Sequence, residues 1–106
     1  MELVAVVQVS LESEWFRLDL PERQKWQRDL FLAITANQEV SCRWFDADPW
    51  TGTGDEFFVC EFSNLQAYWN FWNELREHPV FRKPYARIGR VSLGYERSLT
   101  IGLVET

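Results

Sequence analysis

The chain has 106 residues, 46% of them apolar and 25% charged. This suits one globular domain spanning residues 1–106 and leaves no room for two separate cores. A net charge of −5 argues against a general phosphate-backbone binder, so no nucleic-acid partner is expected. No apolar run approaches the roughly 18 residues that span a bilayer, and the N-terminal apolar stretch follows an acidic Glu2 rather than a basic leader. No membrane partner and a cytoplasmic location are therefore expected.

Residues 3–9, Leu-Val-Ala-Val-Val-Gln-Val, are nearly continuous and β-branched, the pattern of a buried first strand. A loop carrying Trp15 and Phe16 is expected next. Asp19, Pro21 and Glu22 then stand at the spacing of a helix N-cap, first turn and capping box. That helix is predicted to run to about Ala36, with Trp26, Leu30, Ala33 and Ile34 on its inner face. Val40 to Asp46 reads as the second strand, with Val40, Cys42 and Trp44 on one side and Ser41, Arg43 and Phe45 on the other. Pro and Gly punctuate residues 48–54 as a hairpin loop that holds Trp50. Asp55 to Phe62 is the third strand, with Phe57, Val59 and Glu61 facing one way and Phe58, Cys60 and Phe62 the other. Ser63 is placed to cap a second helix that ends before Pro79, and residues 85–95 form the last strand.

The second helix carries the most aromatic surface. At helical spacing Leu65, Tyr68, Trp69, Trp72, Leu75 and Arg76 form one stripe, and two of the six tryptophans lie on it. Such a stripe is core, the lining of a pocket, or an interface. Cys42 and Cys60 form no disulfide framework and are expected as two reduced, buried thiols; with a single histidine they offer no zinc spacing, so no metal is expected.

The order β-α-β-β-α-β is that of the ferredoxin-like unit, an α+β fold with a four-stranded antiparallel sheet and two helices on one face. A sheet with one wet face should alternate apolar and polar residues. Here both faces of the middle strands hold large apolar side chains, so the face without helices needs a cover. A second copy of the chain is the simplest cover, which predicts a homodimer in the form of a dimeric α/β barrel.

Several segments resemble the darcynin family of small bacterial proteins. They are Val40-Ser-Cys-Arg-Trp-Phe-Asp-Ala47, Asp55, Cys60-Glu-Phe-Ser-Asn-Leu-Gln-Ala-Tyr68, Glu74-Leu-Arg-Glu-His-Pro79 and Pro84-Tyr85, with Glu14-Trp15-Phe16, Leu18 and Arg23 upstream. The resemblance covers most of residues 4–90 and implies the ferredoxin-like, dimeric α/β-barrel type. The tryptophans at positions 44, 50, 69 and 72 go beyond that family's pattern. A looser resemblance ties the chain to antibiotic-biosynthesis monooxygenases and haem-degrading enzymes of the same architecture. Their pocket closes near the segment His78-Pro-Val-Phe-Arg-Lys-Pro-Tyr85, but Tyr85 stands where an axial histidine would, so no haem and no other cofactor is expected.

Candidate chemistry follows from residue type. Arg43 and Glu61 interrupt apolar strands, either as a strand-pairing salt bridge or as polar anchors of an apolar pocket, with Arg43 gripping a carboxylate or enolate oxygen. His78 is either a base or a helix-terminal residue favoured by the dipole. With Arg43 and Glu61 it completes the candidate catalytic set. Asp46, Asp48 and Asp55 flank the hairpin loop as turn residues or as an acid or base, in no metal-binding pattern. Trp44, Tyr68, Trp69 and Trp72 are the candidate walls of a substrate pocket, and Trp50 and Tyr85 the residues at its mouth.

No nucleotide, metal or nucleophile-elbow motif is present. The reading that follows is a homodimer that binds a hydrophobic or aromatic small molecule. If it is an enzyme, it is a cofactor-independent monooxygenase, isomerase or cyclase acting in secondary metabolism. The competing readings are a non-catalytic small-molecule-binding module of the darcynin type and a pure protein-interaction module.

Overall fold

Alternation along the strands and capping at the helix ends organise the chain. The computed structural model describes residues 3–46 and 55–97. In chain order the elements are β1 (Leu3–Leu11), α1 (Ser13–Arg17), α2 (Leu20–Thr35), β2 (Val40–Asp46), β3 (Asp55–Phe62), α3 (Leu65–Arg76), α4 (Pro79–Arg82) and β4 (Ala86–Tyr95). The strands form one antiparallel sheet in the order β2-β3-β1-β4. This is the expected ferredoxin-like α+β fold.

The Asp19 carboxylate accepts the Glu22 N–H at 2.9 Å, so α2 begins where the capping spacing places it. α3 begins one residue later than expected. Asn64, not Ser63, accepts the Ala67 N–H, at 2.8 Å. The segment after β1 is a short helix rather than a loop, because Trp15 turns inward and is buried there.

The helices cover one face of the sheet. On that face Leu3, Ala5, Val7 and Val9 of β1 and Phe58, Cys60 and Phe62 of β3 join Leu30 and Ile34 of α2 and Ala67, Phe71 and Leu75 of α3 in one buried cluster. The opposite face brings Val4, Val6 and Gln8 of β1 into register with Glu61, Val59 and Phe57 of β3. Ser41, Arg43 and Phe45 of β2 continue the same rows. Every one of these residues is exposed or half-buried. In β4 a bulge sets Gly89 and Arg90 against the single residue Gln8, because Val7 pairs with Val91 but Val9 pairs with Ile88.

The aromatic stripe on α3 is rotated from the expected one. Ala67, Phe71 and Leu75 form the buried line, Tyr68 and Trp72 flank it, and Trp69 points outward at 55% exposure. The small Ala67 lets the helix approach the sheet. Phe71 then inserts its ring against Phe62 at 5.7 Å and Phe58 at 6.5 Å. On α2, Leu30 and Ile34 are buried and Trp26 is half-buried as expected, but Ala33 is exposed.

Candidate functional site

Two rows of residues meet at one end of the helix-covered face and fail to close. α2 contributes Leu20, Arg23, Gln24, Gln27, Leu30 and Phe31 at three- and four-residue spacing. The sheet contributes Val9, Leu11, Trp44, Asp46, Glu56 and Ala86. Trp15 and Phe16 of α1 and Val80 and Phe81 of α4 complete the wall around a cavity of about 270 Å³. An aromatic ring the size of benzene occupies a cavity of about 150 Å³, so this space suits a molecule of one or two rings.

The wall is mostly apolar, with polar groups at a few points. Trp44 stacks on Phe58 with ring centroids 4.7 Å apart and tilts against Phe31 at 5.3 Å. Its indole N–H is buried and meets no acceptor among the described residues. A buried donor left in that state costs about 1–3 kcal/mol. Arg23 is anchored by its Nε, which donates to the Leu18 carbonyl at 3.1 Å. Asp46 and Glu56 lie directly opposite each other across β2 and β3, on the same side as Trp44 and Phe58. Each breaks an otherwise apolar alternation, Val40-Cys42-Trp44-Asp46 and Glu56-Phe58-Cys60-Phe62. That break is the sequence signal that marks them, and Glu56, Arg23 and Phe31 escaped the sequence reading of the site.

The predicted site residues do not form one constellation. Trp44 lines the cavity. Arg43 and Glu61 lie on the opposite face of the sheet, where both are exposed and no ion pair joins them among the described residues. The Arg43 guanidinium lies over the Phe45 ring at 5.1 Å instead. These two face a shallow depression of about 120 Å³ bordered by Ser41, Phe45 and Val59.

His78 is neither in the cavity nor beside Arg43. Its Nδ1 accepts the Val80 N–H at 3.2 Å, capping α4, and its Nε2 lies 3.2 Å from the Asp29 carboxylate on α2. The ring therefore ties α4 to α2, and both of its nitrogens are engaged.

Tyr68 and Trp72 stack on each other with centroids 6.2 Å apart, and Tyr68 meets Phe62 edge-on at 5.1 Å. Neither lines the cavity, nor does the exposed Trp69. Tyr85 is wedged between Trp15 at 6.1 Å and Trp26 at 5.8 Å, behind the cavity wall rather than at its mouth. Trp50 and Asp48 lie outside the described residues.

Comparison with known proteins supplies a fold. No protein-family model matches the sequence, and no curated protein matches it. Among solved structures, a chlorite dismutase variant from Candidatus Nitrospira defluvii superposes with a TM-score of 0.76 at 11% identity, over 93% of this chain and 41% of that one. The same enzyme in complex with imidazole gives 0.76 at 10% identity, over 95% of this chain and 43% of that one. The structural-genomics protein YJCS gives 0.68 at 10% identity, over 92% of this chain and all of that one. The chain has the ferredoxin-like fold of these proteins. It spans less than half the length of the chlorite dismutase chains.

The resemblance to haem-degrading enzymes raises the fit of a haem, and the described lining of this cavity does not fit one. The cavity wall holds no His, Cys, Met or Tyr to ligate iron. The single histidine already uses both ring nitrogens to join helices. Among the described residues no three His, Cys, Asp or Glu side chains gather to hold a metal ion. No described helix is long and apolar enough to cross a membrane.

Proposed function

We propose that the cavity between α2 and the sheet binds a compact hydrophobic or aromatic molecule that carries a hydrogen-bond acceptor. The observation that carries this reading is the mostly apolar space of about 270 Å³ whose wall holds Trp44, with a buried indole N–H that has no acceptor among the described residues. A small rotation of the indole, whose N–H is closed to water as it stands, would let an acceptor oxygen on the ligand pair that donor. Phe31, Phe16 and Leu20 would flank the ring, and Arg23 and Gln27 would face any second polar group. The same fold in chlorite dismutase has been solved with imidazole and with cyanide, which supports small-molecule occupancy of this architecture.

The test is a tryptophan-fluorescence titration with naphthol and salicylate, and with protoporphyrin as an oversized control. Naphthol or salicylate is expected to quench saturably and protoporphyrin not to compete. Trp44→Phe keeps the ring but removes the donor, and is expected to weaken binding several-fold, about 1 kcal/mol. Gln24→Trp, which places bulk at the rim, is expected to abolish binding without lowering the unfolding midpoint. Equal affinity in wild type and both variants would place the ligand elsewhere.

Turnover is a second reading of the same cavity, favoured by the Asp46–Glu56 pair in its wall. A carboxylate beside a bound enol or phenol can move a proton, which is what a cofactor-free oxygenation, isomerisation or cyclisation in secondary metabolism requires. Product formation that is lost in Glu56→Gln while ligand binding persists would separate this reading from a non-catalytic binding module.

We further infer that the chain works as a homodimer, each copy covering the other's open sheet face. Val6 is 39% exposed there, beside Phe45, Phe57 and Val59. Arg43 and Glu61 share that face without an ion pair to each other. A two-fold axis brings residue i against j and j against i, so one opposite-charge pair in each chain supplies two contacts across the axis. Arg43 and Glu61 thus act in assembly in this reading, not in catalysis. Sedimentation at working concentration that yields one protomer mass would end it.

A further inference from the structure

Cys42 and Cys60 are direct partners across β2 and β3. Facing residues in an antiparallel pair stand about 4.5–5.5 Å apart at Cα, inside the 4.4–6.8 Å range that disulfides span. Here the two sulfurs are already 3.2 Å apart, with the Cys60 thiol donating to the Cys42 sulfur. Bond formation needs an approach of only about 1 Å more, to the usual 2.03–2.05 Å. Both thiols are free, and both face the helix-covered side of the sheet.

We propose that Cys42 and Cys60 are an oxidative modification site: a dithiol that closes reversibly to a cross-strand disulfide, with Cys42 as the thiol that reacts first. Two independent features assign the order. Cys42 is half-buried on β2, the edge strand of the sheet, whereas Cys60 is fully buried on the interior strand β3. The hydrogen bond from Cys60 also stabilises a thiolate on Cys42 and lowers its pKa, against the opposing effect of burial. The same hydrogen bond, with burial and the charge on its neighbour, raises that of Cys60.

The chemistry balances with an organic disulfide as oxidant. The Cys42 thiolate attacks one sulfur of the oxidant, forming a mixed disulfide and releasing one thiolate. Cys60 then gives up its proton and attacks the Cys42 sulfur, expelling the second thiolate. The net change is two protein thiols and one external disulfide converted to one protein disulfide and two external thiols. In a reducing compartment the pair stays as the dithiol, so the site is a response to oxidation and not a structural staple. The bond would pin the edge strand two residues from Trp44 and four from Asp46, both in the cavity wall.

The experiment incubates the full chain in glutathione buffers from fully reduced to fully oxidised and reads intact mass and free thiols. Wild type is expected to lose two hydrogens, carry no stable glutathione, and return to the dithiol with dithiothreitol. Cys60→Ser is expected to accumulate one mixed disulfide at position 42. Cys42→Ser is expected to stay unmodified while folded, at least tenfold slower than Cys60→Ser. Hydrogen exchange along β2 is expected to slow in the oxidised wild type. Two free thiols across the whole series, or a stable glutathione adduct on wild type without ring closure, would overturn the proposal. Modification of Cys42→Ser as fast as Cys60→Ser would overturn the assigned order.

Discussion

Both faces of β3 carry large apolar side chains but meet different fates. On the covered face Phe58, Cys60 and Phe62 are sealed by α2 and α3, and Phe58 has no exposed surface at all. One position along the same strand, Phe57, Val59 and Glu61 look away from the helices and remain half-buried or exposed. A single strand therefore presents one face that the chain seals for itself and one that it leaves open. Burial follows from what packs against a face, and hydrophobicity alone does not supply the partner.

The largest expected effect tests the covered face. Phe58→Ala removes a ring that stacks on Trp44 and meets Phe71 edge-on, and it should cost about 3–5 kcal/mol in urea unfolding. Phe57→Ala, its neighbour on the open face, should cost much less in the isolated protomer. If the two cost the same, the faces do not differ as described.

Charge reversal tests the open face. In the proposed homodimer, Arg43→Glu should weaken self-association on the order of a hundredfold by setting like charges across the two-fold axis. The swap Arg43→Glu with Glu61→Arg should recover most of it, with protomer unfolding nearly unchanged throughout. Failure of the swap to recover association in sedimentation would remove the pairing across the axis.

A smaller effect separates local from tertiary contributions. Asn64→Ala deletes the cap of α3 and should cost about 1 kcal/mol, read as a lower thermal midpoint, while Ser63→Ala should cost less than half of that. The smallest effect is the most diagnostic for the aromatic helix. Trp69→Ala should change stability by no more than about 0.5 kcal/mol, because the ring is mainly solvent-facing. A loss of several kcal/mol would show that Trp69 is covered in the working state, by a partner chain or otherwise.

Much of the fold was legible because its signals are local. Period-2 alternation placed Trp44 with Cys42 and Phe58 with Cys60 on one side, and Arg43, Val59 and Glu61 on the other, as the register shows. Asp19 and Pro21 marked the start of α2 for the same reason, since capping is settled within one turn. The site was far less legible. The stripe on α3 favoured Trp69 over Phe71 because size and spacing do not say how a helix is rotated on its sheet. His78 looked like a base because its ring chemistry is visible in sequence, whereas its contact with Asp29 spans 49 residues and is not.

By itself the sequence determined the order and type of the principal elements and which strand residues share a face, because backbone geometry repeats within a few residues. Only the tertiary structure decided which face the helices seal, that a gap remains between α2 and the strand ends around Trp44, and that Cys42 and Cys60 meet. Those outcomes depend on the fit of side chains brought together from distant parts of the chain, and no local periodicity encodes that fit.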